Sequence, residues 1–319
     1  MMQSVYINHI ASIHTDAASD KDPYLSANEP DYKSIITNAA LRRRMSRIIK
    51  MGVACGLKCI NALPSGKVDA IITATGLGCL ADTEKFLNTI IENEEQLLNP
   101  TPFIQSTFNT IGAQIALLYQ IHAYNMTYVH RGLSFESALL DGMMRIREGD
   151  ENVLVGAMDE ITPNSYIIQQ RLGLLRDIQA GEGAQFFLLG KEITQSTLAE
   201  LISVSTFIHA HSTLEITKRI HRFLQSNQLA PEQINWFVTG KNGNKNEDAI
   251  YTALENSLFP KAKYITFKDE CGEYPTASSF AVWKVAKALG ESQNSGQIAL
   301  IYNHHHSINH SLILIRKRQ

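Results

Sequence analysis

Short apolar runs rich in β-branched residues alternate along this chain with longer stretches whose apolar positions recur at helical spacing. Val5 to Ile10 reads as a strand, then come a helical region to about Leu63, a strand at Val68 to Thr73 and a helix at Ala81 to Leu97. After Thr101 the pattern resumes with helix Thr110 to Ile121, strand Met126 to Val129, helix Phe135 to Arg147, and strands Asn152 to Gly156 and Gln185 to Gly190. A similar series follows: strand Leu201 to Phe207, helix Thr213 to Ser226, strand Trp236 to Thr239, helix Asp248 to Phe259 and strand Tyr264 to Phe267. Helix Thr276 to Leu289 and strands Gln297 to Tyr302 and Ser311 to Ile315 complete it. The alternation predicts an α/β protein with a mainly parallel sheet, because parallel strands need helical crossovers. The repetition divides it into two βαβαβαββ-like halves, residues 1–192 and 193–319. No Pro-, Gly- or Ser-rich linker separates them, so a single five-layered α/β/α/β/α unit is expected. The polar stretch Thr15 to Asp31 reads as the most mobile connection.

Composition narrows the class. With 319 residues, 44% of them hydrophobic and 19% charged, the chain can bury a sizeable core. Lys plus Arg is 29 against 31 acidic residues, which gives no field to draw nucleic acid or an anionic membrane. The first residues lack the basic and apolar regions of a secretion signal, and no segment approaches about 18 uninterrupted apolar residues. Four Cys in a chain this long make neither a disulfide framework nor a paired zinc motif. A cytoplasmic protein without metal or cofactor is expected.

Several collinear segments resemble the β-ketoacyl synthase family. Arg43-Arg44-Met45-Ser46-Arg47 is similar to its Arg-Arg-Met helix, and Thr75-Gly76-Leu77-Gly78-Cys79-Leu80 with Asp82 to Phe86 to a strand end and the helix after it. Pro102-Phe103 with Asn109 resembles its Pro-x-x-Phe and Asn stretch, and Arg145 to Gly149 followed by Val153 to Glu160 its helix after the nucleophile and Gly-Gly strand. Arg176-Asp177 with Gly181-Glu182-Gly183-Ala184 looks like its Gly-Glu-Gly-Ala strand. The resemblance implies a thiolase-type fold, trimmed here by several tens of residues.

It also implies a catalytic Cys and two His, which this chain does not carry. Counting back from the helix end at Ile146 to Gly149 puts the family's Cys at Gly132. The first His, eight residues before an Asp that opens a helix, falls on Gly240 before Asp248; the second falls on Glu273, in a segment that keeps Lys268 and Gly272. Glycine offers neither sulfur nor imidazole, so condensation is not expected. Where the family has a Gly-rich turn, the chain reads Asn303-His304-His305-His306-Ser307-Ile308-Asn309. Without glycine a positive φ is costly, so a differently shaped loop is expected.

Other residue types receive simpler readings. The three consecutive His alternate faces if extended, so at most two converge, and His209-Ala210-His211 is equally poor as a metal site. Ser134 follows Gly132-Leu133 as in a nucleophile elbow whose last glycine is replaced, or it caps the next helix. Cys79 and Cys271 read as packed small side chains. Lys268 and Glu273 are expected to pair and fill the vacated site.

What the resemblance implies is a non-catalytic homologue that acts like a chain-length factor. It would pair with a Cys-bearing β-ketoacyl synthase, or with itself as a homodimer, shape the acyl tunnel and help present acyl carrier protein in fatty-acid or polyketide biosynthesis. Aryl-polyene pigment assembly is one such setting. The junction is expected at the strand Met126 to Val129 and around Phe103, Ile104, Phe108, Asn109 and Tyr128. Two other classes stay open: an independent acyl-thioester transferase or hydrolase using Ser134 or Glu273, and an acyl-binding scaffold.

Overall fold

A computed structural model describes residues 3–15, 23–64, 66–210 and 212–318. The first half of the chain forms β1 (Tyr6–Ile13), α1 (Ala39–Arg44), α2 (Arg47–Asn61), β2 (Ala70–Ala74), α3 (Leu80–Glu92), α4 (Pro100–Ser106), α5 (Thr110–Tyr119), β3 (Tyr124–Tyr128), α6 (Ser134–Glu148), β4 (Asn152–Asp159), α7 (Pro163–Arg171) and β5 (Gly183–Gly190). The remainder forms β6 (Ala199–Ile208), α8 (Thr213–Ser226), β7 (Trp236–Thr239), α9 (Lys245–Ser257), β8 (Lys263–Thr266), a one-turn α10 (Lys268–Cys271), α11 (Ser278–Glu291), β9 (Ile298–His305) and β10 (Asn309–Lys317).

The strands hydrogen-bond in the order β3-β2-β4-β5-β1-β6-β10-β9-β7-β8. Read outward from β1 and β6, the two sides are the same. Two antiparallel pairings come first, through β5 and β4 or β10 and β9, and two parallel ones follow, to β2 and β3 or β7 and β8. The halves are not separate sheets. They join where Tyr6 pairs with Glu200 and Ile7 with Ala199.

Side-chain periodicity explains the layers. On α6, Phe135, Ala138, Leu139, Met143 and Ile146 repeat every three or four residues and are buried, as are Phe280, Ala281, Val285 and Leu289 on α11. Both helices touch strands of both halves, α11 on β1, β5, β9 and β10, and α6 on β2, β4 and β6, so they form the middle layer. On the outer faces, α2 and α5 cover the first half, and α8 and α9 the second. The five-layered thiolase-type arrangement is therefore what the hydrophobic pattern produces.

Several sequence expectations are corrected in detail. The helix expected to reach Leu97 stops at Glu92, and the region before Leu63 is broken between α1 and α2 at Met45 and Ser46. Helices α4 and α7 went unforeseen. Both are fixed by capping rather than by an apolar stripe: Asn99 accepts from the Thr101 N–H ahead of Pro100, and Thr162 accepts from the Ser165 N–H ahead of Pro163. Of the stretch expected to be mobile, Thr15 to Asp31, residues 16–22 lie outside the described residues. Its later part is tied down, with the Leu25 N–H donating to the Ala180 carbonyl and the Ala27 N–H to Glu182.

Candidate functional site

The parallel strands of each half end on the same side as the site, where an α/β sheet offers its crevice. After β3 the chain turns through a 3-10 segment, Arg131–Leu133, into α6, with Arg131 in a left-handed conformation at φ 51°. Gly240 follows β7 directly, Lys268 opens the turn after β8, and Asn303, His304 and His305 end β9. The positions that sequence matching left without Cys and His thus converge.

The side-chain space at the two glycines is filled from elsewhere, and the third position by its own carboxylate. A Cβ on Gly132 would lie 2.6 Å from the His305 Cβ and 2.7 Å from its Cδ2, so the His305 side chain stands where a residue-132 side chain would begin. A Cβ on Gly240 would meet the Asn303 Oδ1 at 2.3 Å and the Tyr251 hydroxyl at 2.8 Å. Glu273 is buried and accepts three hydrogen bonds: from Lys268 Nζ at 2.7 Å, Asn242 Nδ2 at 3.0 Å and His305 Nδ1 at 3.2 Å. Lys268 also donates to the His304 carbonyl at 3.0 Å, which satisfies a cation that is itself buried. Burial alone would raise the Glu273 carboxyl, but the Lys268 ammonium and then His305 outweigh it and hold it well below the usual carboxylate range.

The three histidines have separate fates. His304 is fully buried, its ring stacked on Tyr251 at 4.7 Å, and burial followed by the nearby Lys268 charge pushes it down to about 3. His305 and His306 stand ring to ring at 4.1 Å, and burial and then His305 hold His306 near 4. They are not in an open loop. A three-residue turn, His306 to Ile308, joins β9 to β10, with both His306 and Ser307 at φ 52°. The left-handed backbone, costly without glycine, is adopted here all the same, held by the paired strands on either side. Among the described residues no group of three His, Cys, Asp or Glu could hold a metal ion, and the His209 and His211 pair lies partly outside them.

Ser134 differs from both readings made of it. Its hydroxyl donates to the Arg131 carbonyl at 2.8 Å and accepts from the His130 N–H at 2.7 Å, fastening the turn rather than capping α6. Fully buried and with its proton on a carbonyl, it meets no base. Cys79 and Cys271 are buried, and burial pushes both thiols up, away from the thiolate.

A pocket of about 420 Å³ opens over this cluster. Arg131, His305, His306 and Glu273 line its polar side, and Leu77, Leu174 and Ile308 its apolar side. Asn303, His305 and His306 were marked in the sequence only as standing where the family has a Gly-rich turn, and Arg131 carried no advance signal.

A second feature lies on the other side of the sheet end. Strand β3 is outermost in its half, with one edge unpaired, and Phe103, Ile104, Phe108, Leu117 and Met126 are exposed around it. Asn109 lines the hollows on this face together with Asn125. Tyr128 is half-buried and packs against the central core, its ring edge-on to His130 at 5.8 Å. Met126 is the exposed side chain of that strand face. Among the described residues no helix is long and apolar enough to cross a membrane.

Comparison with known proteins decides the family. The signature described as "Beta-ketoacyl synthase, N-terminal domain" matches residues 17–182, just over half of the chain. The chain belongs to the β-ketoacyl synthase family. No curated protein matches it by sequence. Among solved structures, the ishigamide ketosynthase/chain length factor superposes with a TM-score of 0.82 at 15% identity, covering 99% of this chain and 100% of that one. A type II PKS acyl-carrier protein in complex with its ketosynthase bound to the hexaketide (AntDE:AntF) gives 0.80 at 16% identity, covering 98% and 99%. The PfaC keto synthase-chain length factor gives 0.74 at 13% identity, covering all of this chain and 44% of that one. At such identities these structures speak for the shared ketosynthase fold.

Proposed function

We propose that this chain is the Cys-less, chain-length-factor-like partner of a Cys-bearing β-ketoacyl synthase, acting in the cytoplasm with acyl carrier protein in fatty-acid or polyketide biosynthesis. The observation that carries the reading is the nucleophile position. Residue 132 is a glycine whose side-chain space is filled by His305, so no acyl group can be held there on sulfur during condensation. The likeness to ketosynthase/chain length factor structures supports it. So does the free edge of β3 with apolar side chains beside it, since an exposed strand edge of this kind is a template for pairing with another chain. Apolar residues such as Phe103 and Phe108 then border the partner's acyl tunnel.

The test is coexpression with Cys-bearing synthases, read by light scattering and product analysis. The chain is expected to form a stable complex and, by intact mass, to carry no acyl adduct after exposure to acyl carrier thioesters. Met126→Asp, which buries a charge at the junction, should abolish association. Phe103→Ala and Phe108→Ala should leave the complex assembled but change product length or yield. A chain that stays monomeric at micromolar concentration with each synthase tried, or products unaffected by both Phe substitutions, would end this reading.

A further inference from the structure

His305 is not merely filling. Its Nδ1 lies 3.2 Å from Glu273, an ionised carboxylate that can only accept, so in the neutral ring the proton sits on Nδ1 and the Nε2 lone pair is free. Among the described residues Nε2 has no hydrogen-bond partner, and the ring borders the pocket. This is the relation of a general base to its orienting carboxylate, with the carboxylate's own charge balanced by Lys268. The guanidinium of Arg131, exposed and without an ion pair among the described residues, lines the same pocket. Apolar walls from Leu77, Leu174, Leu175 and Ile308 complete a chamber suited to an acyl chain ending in a polar carbonyl.

We propose that this pocket hydrolyses acyl thioesters, with His305 as the general base for water and Arg131 as the stabiliser of the oxyanion. In the step, Nε2 takes a proton from water as the water oxygen bonds to the thioester carbonyl carbon. Arg131 faces the resulting oxyanion. As the carbonyl re-forms, the C–S bond breaks, and the imidazolium returns its proton to the departing thiolate, so that a free acid and a free thiol result. No nucleophilic side chain is needed, which is why the loss of sulfur at residue 132 does not forbid the reaction. The substrate class rests on the proposed function; the chemistry rests on the pocket.

The experiment uses the purified full-length chain with hexanoyl- and decanoyl-N-acetylcysteamine thioesters, following released thiol. Wild type is expected to turn over above buffer background, with one ¹⁸O from labelled water in the released acid and no covalent adduct by intact mass. His305→Gln should lower the rate by about 100-fold, the scale of general-base catalysis, and Arg131→Gln by about 10-fold or more. No turnover above background, or equal turnover in wild type and a folded His305→Gln, overturns the proposal. If His305→Gln does not fold, Arg131→Gln at the exposed rim carries the test, and an unchanged rate overturns it. Complex formation with a synthase but no hydrolysis would sink this inference alone, whereas hydrolysis without association would sink the partner role alone.

Discussion

Single side chains set the character of the candidate site. Lys268 and Glu273 form an ion pair shielded from water, at 2.7 Å, and removing one charge leaves the other uncompensated. Lys268→Met should therefore cost about 3–5 kcal/mol in denaturant unfolding, while Lys268→Met with Glu273→Leu should recover most of it. Equal losses in the single and double variants would show that packing, not charge, dominates. Glu160 offers a second test. Burial, reinforced by Asp82, raises its carboxyl to about 7 although the Ala81 N–H and Arg47 oppose the shift. A carboxyl whose folded value lies above its unfolded one favours folding at low pH, and that contribution is lost as pH rises through the folded value. Glu160→Gln should match wild type near pH 4.5 and become more stable by up to about 3 kcal/mol at pH 8, seen by thermal melts across pH. That Gly132, Gly240 and Glu273 lie near one another was an expectation that residue type and spacing alone could raise. What fills the space beside them was not legible, since Asn303 and His305 reach the site only through strand pairing.

At the scale of elements, periodicity was a dependable guide wherever an apolar face exists. Helices α6, α8 and α11 were read within a few residues of their ends, and so were strands β4 and β7. Helix α7 buries none of its residues, so no stripe announced it; only the Thr162-Pro163 capping signal could have. The β9–β10 hairpin shows tertiary pairing overriding local preference. Ser307 at φ 52° pays the cost of a left-handed L-residue, about 1–2 kcal/mol. Ser307→Gly should then stabilise the protein by about 1 kcal/mol in urea unfolding, unless the glycine's greater freedom in the unfolded chain cancels the gain. A destabilised variant would mean that the serine side chain contributes more than its backbone costs.

Across the whole molecule, two close crossings near the site lock the halves together. The Gly181 N–H donates to the Glu273 carbonyl at 3.1 Å, and the Glu273 N–H to the Gln179 carbonyl at 2.8 Å. A Cβ at Gly181 would lie 1.9 Å from the Cys271 carbonyl oxygen, which is backbone and cannot step aside. Asp159, at the end of β4, adds a second fastening by accepting from the Thr276 N–H and hydroxyl, at 3.1 and 2.8 Å, while holding the Gly76 N–H. Gly181→Ala should consequently cost about 3 kcal/mol or more and reduce soluble yield, measured by chemical denaturation against wild type. A neutral outcome would mean that the halves slide past each other more easily than this crossing allows.

The two outermost strands of the sheet also differ in a way that bears on how far such a protein can grow. β3 presents its free edge beside a broad group of exposed apolar side chains, whereas β8 is four residues long and exposes Lys263 and Tyr264. A short, charged rim is a poor template for another strand. Once β3 is capped by one neighbour, the opposite end offers only a four-residue edge that begins with a lysine. Assembly would then stop at a pair instead of running on into a filament.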